Sequence, residues 1–405
     1  MKTRSEPSQH TPKITPRSNS KNSSVRLAYA GRQSLRQIRA SVQPISFVVA
    51  GECGRARPGG WSNRLIHADN LAALGALCRD SDVAGNVTLA YLDPPFSTDQ
   101  QYRSGAERTA TVSSSKGDRV AYEDRLRSAA YLEFLRQRLL LLKELLADSG
   151  SIYVHIGSQM AHCVRVLLDE VFGAENFLNE IVRIKCNPKN FHRRAYGNIK
   201  DTVLFYSKTG RHVWNESREP MTEEELARLF PRRDARGRRY TTTPLHAPGE
   251  TDQGPTGAPW KGMHPPRGRH WRSDPAELSR LDQLGSIEWS GTGNPRKKIY
   301  ADDVAQAGKK RQDIWSFKDP PYPSYPTEKN LPLLETIVLA SSNPGDLVLD
   351  CFAGSGTALV AAEKHGRRWI GVDSSSLAIK ATRRRLAASE GCRAYVLLKA
   401  EPASR

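Results

Sequence analysis

Short, nearly continuous apolar runs recur along the chain, bounded by turn residues: Arg64–His67, Val87–Leu92, Ser151–Ile156, Leu347–Asp350, Trp369–Val372 and Ala394–Leu398. Such runs read as strands buried on both faces, the pattern of a parallel sheet. Between them the apolar period changes to three and four. In Tyr122–Leu146, the residues Leu126, Ala129, Leu135, Leu139, Leu142 and Leu146 fall on one helical face. Shorter helices are predicted over Leu71–Leu77, Met160–Val171, Leu331–Ser341, Thr357–Lys364 and Leu377–Leu386. Strand–helix alternation predicts an α/β fold around a mostly parallel sheet. The strands Glu180–Lys185 and Thr202–Tyr206 have no helix between them, which predicts an antiparallel pair at one edge.

Two stretches break the pattern. Residues 1–60 are rich in Ser, Arg, Lys, Gln and Pro, with only Glu6 and Glu52 acidic, and read as a basic, largely disordered tail. A transit peptide and a phosphate-binding arm share that composition. Residues 211–311 lack a helical period and interleave Arg and Lys with His, Trp and Tyr. They read as an inserted, loop-rich basic module, and Arg238, Arg239, Lys261, Arg267, Arg269 and Arg272 are its candidate nucleic-acid contacts. The expected organisation is therefore a tail (1–60), a first half-domain (61–210), the insert (211–311) and a second half-domain (312–405).

Charge sharpens this. Against 43 acidic residues stand 61 basic ones, a formal charge of +18, which favours a polyanionic partner. No apolar run approaches the roughly 20 residues that span a bilayer. The six cysteines form no CxxC pair and no zinc-spaced Cys/His cluster. No metal site is expected, and the thiols read as reduced and intracellular.

Candidate chemistry sits at two strand ends. Asp93-Pro94-Pro95-Phe96 closes the Val87–Leu92 run. Consecutive prolines cannot donate to the ladder, so a carboxylate, free carbonyls and an aromatic ring remain at the strand's carboxyl end. A planar base with an exocyclic amine would find acceptors for its N–H groups there and a face to stack on. In the second half, Asp350-Cys351-Phe352-Ala353-Gly354-Ser355-Gly356-Thr357 reads as strand, tight glycine turn and helix start. Asp373 follows Asp350 by 23 residues, at the end of the next strand, where an acidic side chain can bind ribose hydroxyls. Leu359 occupies the third-glycine position of a dinucleotide fingerprint, and no P-loop lysine is present, which argues against a dehydrogenase and a nucleotide triphosphatase.

Taken together, these residues resemble the S-adenosylmethionine-dependent DNA amino-methyltransferases of the permuted β group, which includes type III modification subunits. In that family a DPP[YF] motif comes first, a target-recognition region follows, and an FxGxG motif comes last. Asp93–Phe96, the basic insert and Phe352–Gly356 stand in that order, and the resemblance spans about residues 62 to 390. His67-Ala68-Asp69-Asn70 stands where the family has a cofactor-contacting acid. Tyr325-Pro326-Thr327-Glu328-Lys329-Asn330 resembles its HPTQKP segment at the methionine end of the cofactor, with Glu328 and Asn330 as departures. Asp313-Ile314-Trp315 resembles the DxW before that segment, and Cys351 replaces a more frequent Pro.

The resemblance implies a Rossmann-like methyltransferase fold with a seven-stranded, mostly parallel sheet and an inserted recognition region. It implies S-adenosyl-L-methionine bound by Asp69, Thr327, Lys329, Asp350, Phe352, Gly354, Gly356 and Asp373. Asp93, Pro94, Pro95 and Phe96 become catalytic, acting on a base flipped from double-stranded DNA. Adenine N6 is expected, because cytosine-N4 enzymes usually carry Ser in place of the Asp; cytosine N4 is the alternative. RNA or protein glutamine as substrate, and a non-catalytic specificity subunit on the same scaffold, are further readings. The family also admits homodimers, a separate restriction subunit, and a cytoplasmic, nucleoid-associated setting of prokaryotic or phage type.

Overall fold

Successive side chains of a strand point to opposite faces, so a run apolar at every position must be covered on both sides. The computed structural model of the chain has that form. It describes residues 25–54, 60–96, 100–104, 119–124, 128–188, 194–251, 254–291, 293–321, 323, 325–326, 328–389 and 394–402, with backbone alone for 100–104, 119–124 and 402. The chain divides into two compact units: residues 1–213 with 314–405, and the insert Trp214–Asp313.

In the first unit ten strands form one sheet. They are β1 (Ile45–Cys53), β2 (Asn63–His67), β3 (Val87–Leu92), β4 (Leu146–Ile156), β5 (Phe177–Ile184), β6 (Lys200–Ser207), β7 (Ile314–Ser316), β8 (Leu347–Asp350), β9 (Arg368–Asp373) and β10 (Tyr395–Pro402). Their spatial order is β1-β10-β2-β9-β8-β3-β4-β6-β5-β7. The run from β10 through β2, β9, β8 and β3 to β4 is parallel throughout. β6 runs antiparallel to both β4 and β5. The eight strands located in the sequence lie side by side from β10 to β5, and with β1 and β7 at the edges the sheet is wider than the seven strands expected. β7 pairs parallel to β5, so the antiparallel pair is interior rather than an edge. Three residues are too few for β7 to show as an apolar run.

The helices are α1 (Leu35–Ser41), α2 (Asn70–Leu77), α3 (Ser128–Leu145), α4 (Ala161–Phe172), α5 (Leu331–Ser341), α6 (Thr357–Lys364) and α7 (Ser376–Ala387). Alternate strand residues feed two separate cores. Ala90, Leu92, Ile152 and Val154 pack with Leu74 of α2, Leu139 of α3 and Leu167 of α4. Leu89, Tyr91 and Tyr153 pack on the other side with Ile337 of α5, Leu359 of α6 and Ile379 of α7. The result is a three-layer sandwich. The predicted helix 122–146 is shorter than expected: Arg119–Asp124 is a strand paired with Gln100–Ser104, and α3 runs directly into β4 at Leu146.

The expectation of a disordered tail over 1–60 is corrected for residues 25–54. Ser34 and Gln37 form a capping box that starts α1, and Ile38 is fully buried. Tyr29 donates to Glu133 at 2.7 Å, and Arg39 pairs with Glu144 at 2.6 Å. β1 then adds an antiparallel strand to β10. A single anchoring isoleucine between polar residues leaves no periodic signal.

The insert is also more regular than expected. Arg232–Arg233, Arg239–Pro244, Pro295–Tyr300 and Ile287–Trp289 form an antiparallel sheet in that order. Helices cover Glu223–Leu229, Pro275–Gln283 and Ala301–Ala307. The first two are marked by caps (Thr222 with Glu225, and Asp274 before Pro275), and all three are too short to display a period. Leu245, Trp260, Trp271, Leu278, Leu281 and Ile287 make a small core of their own.

If residues 25–54 are part of the fold, Ile38→Ala destabilises the protein by about 2–4 kcal/mol, the cost of truncating a buried isoleucine. Urea denaturation of the full chain checks this, and an unchanged midpoint would restore the tail reading.

Candidate active site

The carboxyl ends of β3, β8 and β9 lie side by side, which brings the two sequence motifs to one place although more than 250 residues separate Asp93 from Asp350. In open parallel sheets such ends are where ligands bind. A cavity of about 560 Å³ opens there. Asp93, Pro94, Pro95, Phe96, Lys329, Asp350, Phe352, Gly354 and Asp373 all line it, together with Tyr91, Tyr325 and Ser374–Ser376.

Three carboxylates share this space, and each is held differently. Asp93 Oδ2 accepts from Lys329 Nζ at 2.5 Å, while its buried Oδ1 has no hydrogen-bond partner among the described residues. Lys329 also lies 5.3 Å from the centre of the Phe96 ring. Asp350 accepts one backbone N–H, from Phe352 at 2.9 Å. Burial pushes its pKa up to about 8, with Asp93 and Asp373 nearby adding to the rise. Asp373 accepts from the Gly354 and Ser375 amides, each at 2.8 Å, and burial raises its pKa despite both bonds.

The glycine turn needs its glycines. Gly354 has φ +52° and Gly356 φ +74°, a region L side chains rarely adopt. A Cβ on Gly356 would also sit 2.6 Å from the Thr382 methyl carbon. Gly356 is the N-cap of α6, and the turn is fastened from α7. Thr382 donates to the Gly354 carbonyl, and Arg385 donates to the Ser355 carbonyl and hydroxyl and to the Thr357 hydroxyl. Arg385 also lies 3.4 Å from Glu328, the position where the resembled family carries Gln.

Asp69 does not line the cavity. Its carboxylate accepts from the Leu71 and Ala72 amides at the start of α2 and lies 3.6 Å from Arg138. Thr327 lies outside the described residues. Of the insert residues, Arg238 pairs with Asp302 and Asp303, and Lys261 pairs with Asp282 beside the stacked rings of Trp260 and Trp289. Arg269 contacts His246, and Arg272 donates to the Pro244 carbonyl. Arg239 is half-buried and Arg267 exposed. Among the described residues there is no cluster of His, Cys, Asp and Glu suited to a metal.

Sequence reasoning gave no role to Tyr91, His155, Asp201 or Arg385. A histidine at an inward position of the apolar run Ser151–Ile156 was the available signal for the second.

Comparison with known proteins identifies the family. A family model described as DNA methylase, for N6 and N4 enzymes, matches residues 87–384. The chain belongs to that family of DNA methyltransferases. It is 44% identical over 331 residues to the type II methyltransferase M.EcaI of Enterobacter cloacae, covering 80% of this chain and 69% of that protein. It is 42% identical over 329 residues to the type II methyltransferase M2.DpnII of Streptococcus pneumoniae, covering 80% and 89% respectively. A putative DNA modification methylase from Thermus thermophilus, solved with S-adenosyl-L-methionine, aligns over 85% of this chain and 100% of its own at 17% identity and a TM-score of 0.42.

The Asp350 carboxyl gives a test of this electrostatic arrangement. Its folded pKa of about 8 exceeds the ordinary value of 3.8, so the folded chain binds this proton more tightly. The associated stability is complete at low pH and is lost as pH rises towards 8. Asp350→Asn keeps an acceptor for Phe352 and removes the titration. Urea melts at pH 5 and pH 8 should show the wild type losing more stability between them than the variant; equal losses would contradict a neutral Asp350.

Proposed function

We propose that this methyltransferase transfers the methyl group of S-adenosylmethionine to N6 of an adenine flipped out of double-stranded DNA at a specific sequence. The observation that carries this reading is the Asp93 carboxylate. One oxygen is tied to Lys329; the other is buried and has no hydrogen-bond partner among the described residues, on a side chain that lines the same cavity as Gly354 and Asp373. An acceptor in that state awaits a donor, because an unsatisfied buried oxygen costs about 1–3 kcal/mol.

The residues present fit the cofactor. A carboxylate offers about four lone-pair sites, and Asp373 uses two of them on backbone amides, leaving acceptors for ribose hydroxyls. Gly354 puts no side chain into the cavity, and Phe352 lines the same wall; Gly356 does not line it and instead lets the turn close against Thr382. The cofactor supplies an electrophilic methyl on a sulfonium.

The chain's own residues then act on the acceptor base. Asp93 Oδ1 and the Pro94 carbonyl accept the two amino hydrogens. That draws the nitrogen from planarity and aims its lone pair, which ring conjugation otherwise withholds. Phe96 stacks on the base, and Pro95 stiffens the turn that carries these groups. Acceleration comes from positioning and fixed electrostatics rather than a covalent intermediate. The presence of Asp at position 93, rather than Ser, supports adenine N6 over cytosine N4. The insert, with Arg239, Arg267, Arg269 and Arg272 and the ion-paired Arg238 and Lys261, is proposed to hold the duplex.

Asp93→Ala should reduce methyl transfer by at least about a thousandfold, losing both orientation and charge stabilisation. Cofactor affinity by calorimetry should stay near that of the wild type, and wild-type turnover by this variant would falsify the assignment. Genomic DNA from a host expressing the protein, digested to nucleosides and analysed by mass spectrometry, should contain N6-methyladenine; N4-methylcytosine in its place would move the target to cytosine.

A further inference from the structure

Behind the Asp93–Phe96 turn runs a line of buried polar groups that the chemistry above does not use. His155 on β4 is wholly buried. Its Nδ1 lies 2.9 Å from the Tyr91 hydroxyl on neighbouring β3, and its Nε2 lies 3.4 Å from Asp201 Oδ2 on β6. Asp201 also accepts from Lys185 at 2.7 Å and lies 3.6 Å from Arg183. Arg183 in turn donates to the Phe317 carbonyl at 2.8 Å and the Asp319 carboxylate at 2.5 Å. Four strands and the segment after β7 are thus joined by one network.

The network ends against the catalytic ring. Phe96 and His155 have ring centres 5.9 Å apart at an interplanar angle of 39°. Gly157, two residues after His155, leaves room for Phe96; a Cβ there would lie 3.1 Å from its ring. Tyr91 lines the cavity itself. Burial holds His155 below its usual pKa, and the neutral ring suits the arrangement: Tyr91 donates to Nδ1, and a proton on Nε2 faces Asp201. Asp201 is pushed up by burial, but His155 and Lys185 outweigh this and hold it below the usual carboxylate range.

Apolar side chains of similar volume would fill this space without desolvating charges. What the imidazole adds is a held plane: the Tyr91 hydroxyl bonds Nδ1 on one side, and on the other Nε2 lies 3.4 Å from Asp201 without completing a hydrogen bond. We infer that His155, bonded by Tyr91 and set beside Asp201, is the positioning residue for the catalytic turn: its ring sets the tilt of Phe96 and so the plane of the target base beside Asp93. The inference rests on the proposed reaction.

The test uses the full chain, tritiated-methyl S-adenosylmethionine and genomic DNA from a bacterial host that lacks DNA methylation. Tyr91→Phe, which removes one hydroxyl, should lower kcat about fivefold, and His155→Leu about a hundredfold. His155→Gln, which restores a donor and an acceptor, should recover about tenfold over His155→Leu. Cofactor dissociation constants and cofactor KM should stay within about twofold of wild type in all three. Wild-type kcat in Tyr91→Phe and His155→Gln would overturn the inference, and these two decide it even where His155→Leu does not fold. So would a fall in kcat matched by an equal fall in cofactor affinity. No incorporation by the wild type itself would count instead against the proposed reaction.

Discussion

Three carboxylates at the ends of three adjacent parallel strands must share one partly dry cavity, and the rest of the site is arranged around that constraint. Asp93 and Asp373 both disfavour a charge on Asp350, and burial penalises the charges on Asp350 and Asp373. Lys329 is the one lysine among the residues lining the cavity, so it can satisfy only part of the demand. It goes to Asp93. Asp350 gives up its charge, with its pKa moved to about 8, while Asp373 draws two amides from the glycine turn and the start of α7. Those amides explain why the glycine turn and Asp373 form one unit. The turn is bent so that its own backbone neutralises the acid beside it.

How much of this was legible in the sequence depended on burial. Val87–Leu92, Leu347–Asp350, Leu331–Ser341 and Thr357–Lys364 coincide with β3, β8, α5 and α6. A strand covered on both faces must be apolar throughout, and helices started by Asn330 or Gly356 announce their first turn. The insert failed the same reading because its helices have only seven to nine residues, and two of the three are marked by a capping side chain rather than by a long stripe. Residues 25–54 failed it because their attachment depends on polar contacts such as Tyr29 with Glu133, which leave no periodic trace. At the site, the lining residues were legible as motifs, whereas the ion pair between Lys329 and Asp93 was not. That pair joins segments more than 200 residues apart, and only the sheet order brings them together.

The basic charge of the chain is likewise less simple than its count. Arg238 and Lys261 are spent on Asp302, Asp303 and Asp282 within the insert, where they brace short elements with small cores. An excess of +18 still generates a long-range attraction for polyanions, because that depends on net charge and not on which cation is paired. Contact with a particular phosphate is a separate matter. Arg267, unlike Arg238 and Lys261, stands exposed without an ion pair among the described residues.

Glu328 and Lys329 show how the two motif halves are made to act together. Adjacent in sequence, they reach in different directions: Lys329 to Asp93 at the end of β3, and Glu328 to Arg385 on α7, which grips Ser355 and Thr357. The Thr357 hydroxyl closes the loop by donating to the Lys329 carbonyl at 3.4 Å. A Gln at position 328 could hydrogen-bond to Arg385 but could not offset its charge, and burial already lowers the Arg385 pKa. The departure from the family's HPTQKP segment is therefore matched by a cation on the element that holds the glycine turn. Through two neighbouring side chains, the position of the Asp93 carboxylate depends on the order of the glycine turn. In a chain whose motifs are permuted, that dependence must be carried by contacts of this kind, because the two turns lie on separate stretches of backbone.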